Sequence, residues 1–158
     1  MCDCARLVRC LAAFSLLWMT ACAIVSGDSS KGLKTQADAA IKDKLWQLLR
    51  FDATEGDASY SIDASDRYTL TLLANGAYRV QADCNRMQGA YHFESERRIA
   101  INPGAATLAE CGQESHYSQY LSQLTEVRQF ELIEKTGQLK LITDKGQLIF
   151  EPAEPEVP

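Results

Sequence analysis

Residues 68–91 read YTLTLLANGAYRVQADCNRMQGAY, and this stretch carries the strongest structural signal in the chain. Tyr68–Leu73 alternates apolar and polar residues with period two, which predicts a strand with one buried face. Asn75-Gly76 is a dipeptide typical of two-residue hairpin turns, because both residues tolerate a left-handed backbone. Residues 77–82 then predict the returning strand. This hairpin indicates a sheet built from antiparallel neighbours.

Short strands separated by turn residues continue on both sides of this hairpin. We predict them at residues 46–51, 89–94, 99–101, 128–133, 138–143 and 147–151. One helix is predicted over residues 112–125, since Tyr117, Tyr120, Leu121 and Leu124 recur at helical spacing. The predicted fold class is α+β, with about eight antiparallel strands and one helix packed on the sheet. The domain is expected to span 44–152, followed by a flexible Pro/Glu tail at 153–158.

Composition sets the class of the protein and excludes one class of partner. The chain has 158 residues, of which 46% are hydrophobic and 23% charged, as in a globular domain. The net charge is −5, and the acidic residues are scattered along the sequence. Binding to nucleic acid requires a basic stripe that neutralises phosphates, and the sequence contains none. We therefore expect no nucleic-acid partner.

The N-terminus has the layout of a secretory signal. Arg6 and Arg9 precede an uncharged run from Cys10 to Val25, and small residues follow near its end. A retained anchor helix is the alternative, but this run is shorter than the roughly 20 residues that a membrane span needs. Residues 1–21 are therefore predicted to be a signal peptide.

Met19-Thr20-Ala21-Cys22 resembles the lipobox of bacterial lipoproteins, although Met19 stands where that family prefers leucine. The resemblance implies cleavage before Cys22 and a lipid anchor on that cysteine, so the membrane is an expected partner. Ala23 rather than aspartate at the next position implies the outer membrane, facing the periplasm. Residues 22–43 contain a polar, Gly/Ser-containing leader and are expected to form a tether or linker.

Removal of the signal and lipidation of Cys22 leave two cysteines, Cys84 and Cys111, in an oxidising compartment. Paired thiols become disulfides there, so we predict a Cys84–Cys111 bridge. The loop that it closes would contribute about 3.5 kcal/mol of stability through chain entropy. That is a large share of a total on the order of 5–15 kcal/mol.

Other chemistry for these residues finds less support in the sequence. A nucleophilic Cys84 would need a base, for which only His92 and His116 are available. The same four residues have the right types for zinc, but they lack the compact paired spacing of a zinc site. Glu114, Ser115 and His116 are too close in sequence to form a hydrolase triad. We predict no catalytic residue, no metal site and no cofactor.

The assembled residues resemble the META domain (HslJ-like) family from about Leu45 to Phe150. The matching features are Trp46, the triplet Cys84-Asn85-Arg86, Gly89 with Tyr91, Thr107 before Cys111, the helical Tyr120, Leu121 and Leu124, and the closing apolar repeat from Leu139 to Phe150. Asp83 departs from the family, which usually has glycine there. The resemblance implies a highly curved antiparallel sheet wrapped around one helix. It also implies an association with heat-shock response and novobiocin resistance, without a catalytic mechanism.

Asn85, Arg86, Gly89 and Tyr91 form the candidate binding loop. We expect Asn85, Arg86 and Gly89 to build a turn held by the disulfide. Arg86 has two alternatives, since its guanidinium could bind a carboxylate or phosphate ligand or could pair with Asp83 or a neighbouring carboxylate.

The expected function is a non-enzymatic lipoprotein of the bacterial cell envelope, acting as a binding or stress-maintenance module. Its partner would be an envelope protein or a lipid. The alternatives are a pilot-like assembly lipoprotein that binds an outer-membrane component, and a small inhibitor of an envelope hydrolase.

Overall fold

The computed structural model describes residues 38–54, 56 and 58–153. The predicted signal peptide, the lipidation at Cys22, the tether up to residue 37 and most of the C-terminal tail lie outside these residues.

The described residues are mostly strands. The strands are β1 (Leu45–Ala53), β2 (Tyr60–Ser61), β3 (Tyr68–Leu72), β4 (Ala77–Ala82), β5 (Asn85–Ser95), β6 (Arg98–Ile101), β7 (Ala105–Ala106), β8 (Gln129–Ile133), β9 (Gln138–Ile142) and β10 (Gly146–Pro152). The helix α1 spans Tyr117–Thr125, and a short 3₁₀ turn covers Ser65–Arg67. The predicted β3–β4 hairpin is confirmed, with Gly76 at a φ of 85° in its turn.

Within the described chain, eight strands close into a ring. The order is β10-β9-β8-β6-β5-β4-β3-β1, and β1 pairs again with β10, while β2 adds to β1 and β7 adds to β5. All the strand pairs are antiparallel, so the predicted antiparallel sheet is confirmed. The sequence did not predict the closure, which leaves the eight ring strands without open edges.

The seams of this barrel differ in length. β1 and β10 pair from Trp46↔Pro152 to Ala53↔Gly146, with one register shift between Leu48 and Arg50. β6 and β8 share only one registered pair, Arg98↔Gln129. Backbone hydrogen bonds hold the barrel together everywhere, but the β6–β8 seam has the fewest of them.

Side chains fill the interior of the barrel, as in other eight-stranded barrels. The largest fully buried side chains are Trp46, Tyr78, Tyr120, Phe51, Phe130 and Phe150. The helix contributes three of the four residues of its predicted stripe, Tyr120, Leu121 and Leu124, to this core. The sheet closes by strand pairing alone. That the sheet wraps around this helix remains a prediction from the family resemblance.

The packed domain includes residues from the range predicted as tether. Ile41 is fully buried in the core, and its carbonyl accepts a hydrogen bond of 2.9 Å from the Trp46 indole Nε1. The Asp43 amide also donates to the Leu72 carbonyl, at 2.7 Å. The buried indole needs an acceptor, and the chain just before β1 provides it.

The helix is shorter than predicted at its N-terminus. Residues 112–116 form a loop, in which Gly112 has a φ of 100°. A positive φ is incompatible with a right-handed helix, so Gly112 lies outside the helix. The helix begins at Tyr117. The predicted start at residue 112 was wrong by five residues.

Candidate functional site

The Cys-Asn-Arg segment lies at the junction of β4 and β5. Asp83 and Cys84 form a tight turn between Ala82 and Asn85, which face each other in the ladder. Asp83 has a φ of 59°, the left-handed region that glycine adopts most easily. Aspartate is one of the few other residues that tolerate this region. The departure from the family pattern therefore keeps the backbone conformation that glycine would give.

The prediction that Asn85, Arg86 and Gly89 form a turn was wrong. All three lie inside β5, paired with β4 along the strand. Burial alternates along β5, but the first buried position is occupied by a polar residue, Asn85. The hydrophobic pattern of the sequence therefore did not indicate that the strand begins there. The turn lies directly before β5, at Asp83-Cys84.

The Cys84–Cys111 disulfide is confirmed. The two Cα atoms are 5.6 Å apart, within the usual range for a disulfide, and the sequence separation is 27 residues. The bridge joins the β4–β5 turn to the loop that precedes α1. It also occupies two of the four ligands of the alternative zinc site, and it removes the thiol that a nucleophilic Cys84 would need.

Asn85 pins the loop before the helix to β5. Its side chain is fully buried, and its Oδ1 accepts hydrogen bonds from the Ala109 amide at 2.7 Å and the Thr107 hydroxyl at 3.0 Å. Its Nδ2 donates to the Ala109 carbonyl at 2.8 Å and contacts the Cys111 sulfur at 3.1 Å. These partners satisfy a buried amide, so Asn85 positions backbone and is not available to a ligand.

Gly89 and Tyr91 also serve the fold. A Cβ on Gly89 would lie 2.7 Å from the Tyr78 hydroxyl, which donates to the Asn102 carbonyl at 2.8 Å. Tyr91 is buried, and its hydroxyl donates to the Leu73 carbonyl at 2.8 Å. Of the four residues of the candidate binding loop, only Arg86 presents its side chain to solvent.

Asp83 lies in a polar cluster that the sequence analysis missed. Arg67, not Arg86, pairs with it: both Nε, at 2.8 Å, and Nη2 of Arg67 donate to the Asp83 carboxylate. The Tyr68 hydroxyl lies 3.5 Å from the other carboxylate oxygen and 3.1 Å from Ser115 Oγ. The His116 amide donates to the same Tyr68 hydroxyl, at 3.0 Å. No local pattern connects Asp83 with the pairs Arg67-Tyr68 and Ser115-His116, because these three segments are distant from one another in the sequence.

The cluster keeps Asp83 ionised although its side chain is buried. Burial by itself raises the pKa of Asp83, but hydrogen bonds from Arg67, Ser115 and Tyr68 and the charge of Arg67 outweigh it, and the net pKa is lowered. A carboxylate held in this way is a structural anion and a weak proton acceptor. It connects the β4–β5 turn to β3 and to the start of α1.

A cleft of about 480 Å³ lies beside this cluster. It is lined by Ser61, Ile62, Asp63, Ala64, Arg67, Tyr68, Asp83, Cys111, Gly112, Gln113, Glu114, Ser115 and His116. The His116 ring stacks on Tyr60, with ring centroids 4.3 Å apart, and burial raises the pKa of Tyr60 above its usual range. Ser115 contacts Tyr68 while the His116 ring is held against Tyr60, so these two side chains do not form a nucleophile–base pair.

A second groove, of about 410 Å³, lies along β4, β5 and β7. It is lined by Arg79, Val80, Arg86, Met87, Gln88, Ala105, Ala106 and Thr107. This groove contains the one exposed member of the candidate binding loop, Arg86. Arg79, which the sequence analysis did not single out, shares the groove with it.

The described residues contain neither a cluster of potential metal ligands nor a helix suited to crossing a membrane. Over residues 38–54, 56 and 58–153, no three His, Cys, Asp or Glu side chains are grouped closely enough to hold a metal ion. In the same part of the chain, no helix has the length and apolar character needed to cross a membrane.

These features define a small antiparallel β-barrel domain stapled by one disulfide. The chain belongs to the META domain family, whose model matches residues 39–155. The match begins two residues before the buried Ile41, in agreement with the packing of that residue.

Two solved structures share this fold. An NMR structure of a protein from Burkholderia xenovorans has a TM-score of 0.63 and 21% identity, covering 76% of this chain and 88% of that one. A crystal structure of a DUF4847 family protein from Bacteroides vulgatus has a TM-score of 0.57 and 11% identity, covering 76% and 99%. At these identities the likeness shows the fold alone. No curated protein matches the chain significantly.

Proposed function

We propose that the protein is a non-enzymatic, lipid-anchored module of the bacterial cell envelope, whose META domain binds an envelope component and contributes to stress tolerance. One observation carries the binding role. Asn85, Gly89 and Tyr91 are committed to the fold, whereas Arg86 projects into an open groove together with Arg79. An exposed guanidinium beside a groove is suited to binding an anionic group.

The engagement of the reactive side chains supports a non-enzymatic role. Cys84 is in a disulfide, the Asp83 carboxylate is bound by Arg67, and Ser115 contacts Tyr68. A nucleophile or general base needs a free reactive atom and a partner that activates it. None of these three side chains has that arrangement.

The envelope location is supported by the disulfide and by the lipobox-like residues. A disulfide in a small bacterial domain fits the oxidising periplasm better than the reducing cytosol. Cys22 follows an apolar run and a small residue, as a lipidated cysteine does. The proposed location is the outer membrane, with the domain facing the periplasm.

Intact-mass analysis of the chain extracted from bacterial membranes tests the anchor and the thiol states. We expect a mature chain that begins at an acylated Cys22. Alkylation of Cys84 and Cys111 is expected only after reduction. Cys22→Ser is the matched control and should leave an uncleaved, unacylated chain. An unacylated wild-type chain in the soluble fraction would refute the anchor, and free alkylation of Cys84 would refute the oxidised state.

A deletion strain tests the stress role that the HslJ-like resemblance suggests. Growth with heat stress or novobiocin should be impaired, and expression of the wild-type chain should restore it. Arg86→Gln should restore it poorly, whereas Arg50→Gln should restore it fully, because Arg50 lies on β1, which β3 separates from β4, and is engaged with Asp52. Unimpaired growth of the deletion strain under both stresses would reject this role.

A further inference from the structure

Two arginines occupy neighbouring positions on the outer face of the β4–β5 pair. In the ladder, Arg79 faces Gln88 and Gln81 faces Arg86, so the two arginines are diagonal neighbours. Both are exposed. Diagonal positions in an antiparallel pair are about 7–8 Å apart, which long side chains can bridge. One anion can therefore contact both guanidinium groups.

Neither arginine is neutralised within the described chain. The ion pairs found among those residues involve Arg50, Arg67, Arg98, Lys140 and Lys145. Arg79 and Arg86 are absent from these pairs, although the whole chain carries a net charge of −5. Two unpaired cations next to each other on an acidic protein form a local site for an anion.

The groove beside the two arginines also has apolar walls. Ala105 and Ala106 are exposed on one side, whereas Val80 and Met87, which border the groove, turn their side chains into the core. A ligand that fits both features carries a negative group and an adjoining apolar part.

Leu108 lies close to this groove and is 77% exposed. The backbone just before it is bound to β5, because the Thr107 amide donates to the Arg86 carbonyl at 3.0 Å and the Arg86 amide donates to the Thr107 hydroxyl at 3.0 Å. The backbone just after it is held by Asn85 through Ala109. The fold therefore presents a leucine to solvent on a fixed backbone, which lowers the entropy cost of any contact it makes.

We propose that Arg79, Arg86 and Leu108 form a docking surface for anionic phospholipid. The two guanidinium groups bind lipid phosphate, and Leu108 enters the boundary between headgroups and acyl chains. This proposal rests on the proposed function in one respect, because the lipid anchor is what keeps the domain near the membrane. The chain from Cys22 to Ile41 cannot extend beyond on the order of 65 Å, so an anchored domain stays within reach of the bilayer.

An acidic protein segment is the rival occupant, and the apolar surface favours lipid over it. A stable protein interface buries about 800 Å² on each partner around an apolar centre. Among the described residues, the large exposed hydrophobic side chains are Leu45 and Leu108. A single projecting leucine is sufficient for shallow insertion into a bilayer, but it is a small centre for a protein interface. The Glu110 carboxylate lies 3.5 Å from the Tyr117 hydroxyl, and its negative charge opposes the docking of an anionic lipid.

Fluorescence quenching of a reporter tests the docking in the full chain. Leu108→Trp is introduced into protein recovered from membranes and is reconstituted into vesicles of brominated phosphatidylcholine, with or without phosphatidylglycerol. Trp46 is buried, and the parent chain provides the background signal. We expect quenching of the new tryptophan mainly in vesicles that contain phosphatidylglycerol. Leu45→Trp, at the other exposed leucine, is the matched control and should remain unquenched.

Charge variants in the reporter chain identify the groups involved. Arg79→Gln and Arg86→Gln should each lower the docked-to-undocked ratio about fivefold, and high salt should act in the same direction. Glu110→Gln should raise the ratio. Circular dichroism checks that each variant is folded.

Three outcomes would overturn the proposal. Equal quenching with and without phosphatidylglycerol would show that anionic lipid is not recognised. Absence of quenching in chains that still float with the vesicles would remove the docking while leaving the anchor intact, whereas loss of flotation would contradict the anchor itself. Binding of hexaglutamate that depends on both arginines, with no quenching by vesicles, would assign the groove to an acidic protein segment.

Discussion

At the residue scale, Asp83 shows how one side chain can hold together distant parts of the chain. It occupies a left-handed position where glycine has the conformational advantage. Its carboxylate binds Arg67, which precedes β3, and hydrogen-bonds with Tyr68. A glycine at this position would relax the backbone but would leave Arg67 and Tyr68 without this partner.

The lowered pKa of Asp83 predicts a pH dependence of stability. Because its folded-state pKa lies below its ordinary value of 3.8, the ionised form stabilises the fold above that pH. The contribution decreases as the pH falls through the lowered pKa. Asp83→Asn should therefore destabilise the protein at neutral pH, and the difference from wild type should shrink in acid.

Urea denaturation at several pH values measures this difference in the free energy of unfolding. Asp144→Asn, in the exposed β9–β10 turn, is the control and should remain close to wild type at each pH. A difference between wild type and Asp83→Asn that stays constant down to strongly acidic pH would contradict the lowered pKa.

Asn85→Ala should be among the most destabilising single polar substitutions in the domain. The Asn85 side chain bonds both the amide and the carbonyl of Ala109 in the wild-type protein, and the substitution leaves these two groups without that partner. The substitution removes three hydrogen bonds, each worth about 0.5–1.5 kcal/mol, so we expect a loss of about 2–4 kcal/mol in the free energy of unfolding. Urea denaturation with the disulfide intact measures it.

Gln88→Ala is the matched control for Asn85→Ala, since Gln88 is exposed on the same strand. Its effect should stay within about 0.5 kcal/mol. Equal midpoints for Asn85→Ala and wild type would show that the clamp on Ala109 does not contribute to stability.

At the scale of elements, close approach between β4 and β5 explains Gly89. The Tyr78 side chain of β4 passes over Gly89 of β5, and an added Cβ would lie 2.7–2.9 Å from the hydroxyl and the adjoining ring atoms. The Tyr78 hydroxyl is in turn fixed by the Asn102 carbonyl. Glycine is needed here for space, since Gly89 has no left-handed φ.

A double-mutant cycle tests this contact. Gly89→Ala should cost about 1–3 kcal/mol by overpacking, and Tyr78→Phe about 1 kcal/mol through its lost hydrogen bond. Tyr78→Phe also removes the atom closest to the new methyl group, so the double variant should be more stable than the sum predicts by about 0.5–1 kcal/mol. Urea denaturation of all four chains measures the coupling. Strict additivity would contradict the proposed contact.

At the scale of the whole molecule, the barrel is closed by seams of unequal strength. The β1–β10 seam is registered over most of both strands, whereas the β6–β8 seam has one registered pair. Local opening of a fold begins where few hydrogen bonds and contacts must be broken. The β6–β8 seam is therefore the expected site of opening.

Native-state amide hydrogen exchange tests this expectation. The Ile99 and Phe130 amides, which bond across the weak seam to Arg128 and Arg97, should exchange through openings at least about 1 kcal/mol below global unfolding. Amides of Leu48 and Phe150, which face each other in the strong seam, should exchange only with global unfolding. Equal exchange free energies at both seams would show that the barrel opens as one unit.

Local patterns in the sequence determined the antiparallel strands, the β3–β4 hairpin, the apolar stripe of the helix and the disulfide. These follow from interactions between near neighbours and from the pairing of two cysteines in an oxidising compartment, which periodicity and composition report. β4 was predicted at its observed bounds, because alternation and a hairpin turn define it at both sides. The resemblance based on Cys84-Asn85-Arg86 also led to the correct family.

Only the tertiary structure decided the closure of the barrel, the pairing of Asp83 with Arg67, the burial of Asn85 and the groove shared by Arg79 and Arg86. Each depends on residues that are distant in sequence and are brought together by strand order and register. Strand order is set by the total burial of the apolar faces, and no short stretch of sequence reports it. The chemistry of the exposed surface follows from that order, because register determines which polar side chains become neighbours.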